Sequence, residues 1–82
     1  MRDQKTLQRI FAKPAPIDID WADIESMLRG AEVWVQDRSG SRVALVKAGE
    51  VMVVCRPHSK PLAVQATVRD VAAFLTVVGV KP

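Results

Sequence analysis

The side chains whose types and spacing could do chemistry in this 82-residue chain gather around two segments, Ser39-Gly40-Ser41-Arg42 and Arg56-Pro57-His58-Ser59-Lys60. His58 is the only histidine, and a neutral imidazole can take a hydroxyl proton at about neutral pH. The guanidiniums of Arg38, Arg42 and Arg56 and the ammonium of Lys60 stay charged there, so they hold phosphate oxygens or stabilise developing negative charge. The set suits a phosphate-bearing polyanion. A lone loop histidine is also a common solvated surface residue, so a functional reading requires the two segments to meet in space.

A hairpin would join them. Two β-branched runs, Val43-Ala44-Leu45-Val46 and Val51-Met52-Val53-Val54-Cys55, are separated by the polar break Lys47-Ala48-Gly49-Glu50,. With Ala48-Gly49 as a two-residue loop, Lys47 faces Glu50, Val46 faces Val51 and Arg42 faces Cys55. Ser41 and Arg42 then lie beside Arg56, Pro57 and His58. Under this register Val43, Leu45, Met52 and Val54 share one sheet face, and Ala44, Val46, Val51, Val53 and Cys55 the other. Both faces are apolar, so a sheet covered on one side leaves a patch for a protein partner or for self-association.

The remaining elements must support that hairpin. Leu7, Ile10 and Phe11 predict a helix from Asp3 to Ala12, stopped by Lys13-Pro14-Ala15-Pro16. Asp20 is placed to cap a second helix, with Ile19 and Ile24 at staple spacing, Trp21, Ile24 and Leu28 along its apolar stripe, and Gly30 as the left-handed residue that ends it. Asp18, Asp20, Asp23 and Glu25 read as acids favoured at a helix start rather than as metal ligands or an acid/base pair. Ala31 to Gln36 reads as a strand, in which Trp34 is expected to be buried or half-buried, with stacking on a base as the alternative. Asp37-Arg38-Ser39-Gly40 turns into the hairpin. A last helix is expected to start with Thr67 as cap, to bury Val68, Val71, Ala72, Leu75 and Val78 with Phe74 at the margin, and to end at Gly79.

The resulting order is helix, helix, three strands, helix, which predicts an α+β fold with a three-stranded antiparallel sheet. The chain is short enough to be a single small domain, and its 49% hydrophobic residues suffice for one core,. No apolar run is long enough to span a membrane and no secretory leader is recognisable, so a cytoplasmic protein without membrane contact is expected. Cys55 is the only cysteine and reads as a small buried residue; with no second thiol or histidine cluster, neither a metal nor any other cofactor is expected,. The net charge of +3 is uneven: residues 1 to 17 carry four basic and one acidic side chain, 18 to 37 one and six, and 38 to 82 seven and two. Positive charge thus accompanies the hairpin and the segments C-terminal to it, as a polyanion-binding surface requires.

In this order and spacing the chain resembles the HicA (YcfA-like) toxins of bacterial toxin-antitoxin pairs. The matching features are a helix ending in Gly30, a strand, Gly40-Ser41 before a second strand, Pro57-His58-Ser59-Lys60, and Thr67-Val68-Arg69 opening a helix that ends Gly79-Val80. The likeness covers residues 19 to 80, which divides the chain into an N-terminal helix and Pro-rich connector (1 to 18) and a HicA-like domain (19 to 82). The resemblance implies a double-stranded-RNA-binding-like α-β-β-β-α core, cleavage of mRNA as an interferase without a metal, and a HicB-like antitoxin as partner. His58 matches a second histidine often seen in the family, and with the hairpin geometry this makes His58 the candidate proton-transfer group, Arg42 and Ser41 its catalytic companions, and Arg38, Arg42, Arg56, Lys60 and Arg69 the candidate RNA-binding residues. The family's catalytic histidine follows Gly-Ser directly, and that position here is Arg42. A non-catalytic RNA-binding or partner-binding module on the same fold is therefore the alternative.

Overall fold

A tight turn sets the centre of the molecule. In the computed structural model, which describes residues 2–57 and 61–82, Ala48 (φ 52) and Gly49 (φ 81) are both left-handed, the backbone of a turn whose twist matches its flanking strands. The strands it joins are β2 (Arg42–Lys47) and β3 (Glu50–Cys55), and β1 (Trp34–Asp37) adds to the free side of β2. Both pairings are antiparallel, and the hairpin register is the expected one, with Lys47 opposite Glu50 and Arg42 opposite Cys55. Helices α1 (Arg2–Ile10) and α2 (Trp21–Gly30) precede the sheet and α3 (Gln65–Val77) follows it. Among the described residues no helix is long and apolar enough to cross a membrane.

The core lies on one sheet face. Val43, Leu45 and Val54 join Ile24 and Leu28 of α2 and Val68, Val71 and Leu75 of α3 in one buried cluster. Leu7, Ile10 and Ala15 belong to the same cluster, so α1 and its connector complete that core. Phe74, expected at the margin, is fully buried in it. The loop after β3 returns along the start of α2, where Trp21 N donates to Pro61 O (2.8 Å) and Ala63 N to Ile19 O (2.9 Å).

Several helix boundaries differ from expectation, each for a local reason. Gly30 is the last residue of α2 rather than the left-handed residue after it. That place belongs to Glu32 (φ 63), with Val33 N bonded to Leu28 O and Glu32 N to Arg29 O, the paired bonds of a Schellman ending. The ending consumes Ala31 to Val33, so β1 starts only at Trp34. Gly30 instead permits a close approach of α1: a Cβ there would stand 2.9 Å from Asp3 Oδ2, while Asp3 Oδ1 accepts from Ser26 Oγ at 2.9 Å. The same Schellman bonds end α3, where Gly79 (φ 82) is the left-handed residue as expected. Asp20 precedes α2 without a side-chain capping bond. Thr67 does not cap α3, which begins two residues earlier; its hydroxyl donates to Cys55 O at 2.8 Å and fastens the helix to the end of β3.

Candidate nucleic-acid interface

The register sorts the uncovered face of the sheet into cross-strand rows. Trp34, Val46 and Val51 form one, and Gln36, Ala44 and Val53 the next. Trp34 is 67% exposed, contrary to the expectation that it packs, and Val51 and Val53 are 59% and 51% exposed. Ala44, flanked by Gln36 and Val53, is fully buried and forms the floor.

A third row is cationic. Arg38 N donates to Arg42 O at 2.8 Å, which extends the β1–β2 ladder one step past Asp37 and sets Arg38 directly opposite Arg42. By the two-residue alternation of strands both point to the uncovered face, with Cys55 on the far side of Arg42,. Cys55 is exposed there rather than buried. Like charges directly opposite on neighbouring strands destabilise a sheet. Arg9 pairs with Asp18, Arg29 with Glu25 and Arg56 with Asp37. Among the described residues no ion pair involves Arg38 or Arg42.

The other sequence-derived site residues lie elsewhere. Arg56 N donates to Ser41 O at 2.8 Å, so these two backbones meet as expected. The Arg56 guanidinium, however, reaches Asp37 Oδ1 (3.7 Å), and Asp37 pairs with Val43 on the core side of the sheet. The pleat thus directs Arg56 away from the face that carries Arg42. Arg69 is exposed on α3 and lines a separate cleft of about 530 Å³ with Ile10, Phe11 and Lys13. His58 and Lys60 lie outside the described residues.

Sequence reasoning missed the opposition of Arg38 and Arg42. The only signal in the chain was Gly40 in a short polar reversal,; the structure gives it φ 70 in a three-residue loop, Ser39 to Ser41, whose flanking residues are the two arginines. The chain matches no family model, and neither a curated protein nor a solved structure shows a significant match to it.

Proposed function

We propose that this chain is an RNA-directed toxin of HicA type, built on a double-stranded-RNA-binding-like scaffold, acting in the cytoplasm on mRNA and restrained by a HicB-like antitoxin. The observation that supports this reading most is the arginine pair on the uncovered face, without an acid partner among the described residues, because two opposed guanidiniums suit a bridging phosphate. In the cleavage reaction a ribose 2′-oxygen attacks the neighbouring phosphorus while His58 takes its proton. The bond from phosphorus to the 5′-oxygen breaks, the leaving oxygen gains a proton from water, and a 2′,3′-cyclic phosphate and a 5′-hydroxyl result. Arg42 holds the phosphate oxygens. Ser41, next to Arg42, is assigned a supporting catalytic contact, and Arg38 and Lys60 contacts to the strand; Arg56, paired with Asp37 on the other side of the sheet, and Arg69, on α3, are left out of the site.

A second reading is a non-catalytic module that binds RNA, a protein partner or another copy of itself through the same face. Arg42 in place of the family's histidine and the exposure of Val51 and Val53 favour it.

The test is binding and cleavage of a labelled mRNA by the purified chain, beside Arg42→Glu and His58→Ala. Arg42→Glu is expected to abolish affinity for RNA while thermal stability is kept or raised, since it replaces a like-charge pair by an opposite one. His58→Ala is expected to bind RNA and not cut it. Absence of salt-dependent RNA affinity in the wild type refutes the whole reading; binding without cleavage by the wild type selects the non-catalytic module.

A further inference from the structure

We infer that the uncovered face takes a single nucleic-acid strand rather than a duplex, with a base stacked on Trp34 and a phosphate held between Arg38 and Arg42. The inference rests on the RNA reading above and specifies the form of its ligand. Three observations carry it. The row at one end of the face is apolar and includes an indole 67% exposed, and aromatic rings on open sheets serve as platforms for unstacked bases. The row at the other end opposes two arginines, and the described residues at the face positions of β1, β2 and β3, namely Trp34, Gln36, Arg42, Ala44, Val46, Val51, Val53 and Cys55, include no acid. Charge complementarity therefore calls for an anion at that end.

The spacing connects the two ends. Trp34, Gln36 and Arg38 follow one another at two-residue steps of about 6.6 Å along β1, a distance that an unstacked nucleotide spans. The Gln36 amide between them, over the low floor made by Ala44, can donate to and accept from a base edge. A duplex keeps its bases paired and stacked, so it offers phosphates to the arginines and nothing to the indole.

Fluorescence of the full chain tests this, because Trp21 is 8% exposed and Trp34 is 67% exposed, so ligand contact acts on the emission of Trp34. The probes are a mixed-sequence single-stranded RNA octamer, the same octamer as a duplex, and poly-glutamate. Expected are quenching by the single strand alone and a loss of roughly 5- to 150-fold in single-strand affinity on Trp34→Leu, the range for one stacked base. Trp34→Phe should retain most of the affinity, because a ring remains. Arg38→Gln with Arg42→Gln should flatten the dependence of log affinity on log salt by about 0.7, the one phosphate that the pair holds. The buried Trp21 emission reports that each variant is folded. Duplex binding with Trp34 emission unmoved overturns this inference and leaves the RNA reading intact; no binding of either RNA overturns both. Equal affinity of Trp34→Leu and wild type for the single strand, or quenching by poly-glutamate alone, also overturns it, the last assigning the face to an acidic protein.

Discussion

Replacing Thr67 by valine tests how the last helix is joined to the sheet. Thr67 is 3% exposed and its hydroxyl donates to Cys55 O at 2.8 Å, at the end of the strand that leads to Arg56. Valine keeps the branched shape and removes the donor. The lost bond is worth roughly 1 kcal/mol and the partly buried carbonyl left behind adds to that, so a total of about 1–2 kcal/mol is expected. In a domain of this size each kcal/mol moves the midpoint by about 4–8 °C, which predicts a drop of about 5–15 °C in a thermal melt followed by far-ultraviolet circular dichroism. Thr67→Ser keeps the hydroxyl and should cost only about the one methyl group, roughly 0.8 kcal/mol. Thr67→Asp separates the two roles this residue could have: a helix cap would tolerate aspartate, whereas a carboxylate buried against a carbonyl costs several kcal/mol. Wild-type stability of Thr67→Val, or of Thr67→Asp, would refute the joint.

The two Schellman endings make opposite predictions. Glu32→Gly relieves a left-handed residue of about 1–2 kcal/mol, partly offset by the entropy of glycine, so a gain of about 0.5–1 kcal/mol is expected, while Gly79→Ala should lose about 1–2 kcal/mol; urea midpoints check both signs. Ile10→Ala should lower stability by about 2–4 kcal/mol within a single transition, because Ile10 is 2% exposed in the common core,; an early separate transition for α1 would show that the N-terminal segment folds apart.

The Ala48-Gly49 turn and the opposed Lys47 and Glu50 were enough to set the hairpin register from the chain alone, because a two-residue loop fixes which residues face each other; with both faces apolar, hydrophobic pattern could not choose between them. The helical stripes were legible from their period, and Gly79 as the left-handed residue after α3. The places that could not be read were those where a residue has two satisfactory local roles and a distant element chooses between them. Thr67 could cap or clamp, and the Cys55 carbonyl decided it. Gly30 could end its helix or admit a neighbour, and Asp3 decided that. Trp34, Arg38 and Arg42 became one surface only when β1 took the outer side of β2, leaving one face of the sheet uncovered. Sequence period determines which side chains share a face, since it is a property of the backbone; which face meets solvent depends on what else in the chain packs against it.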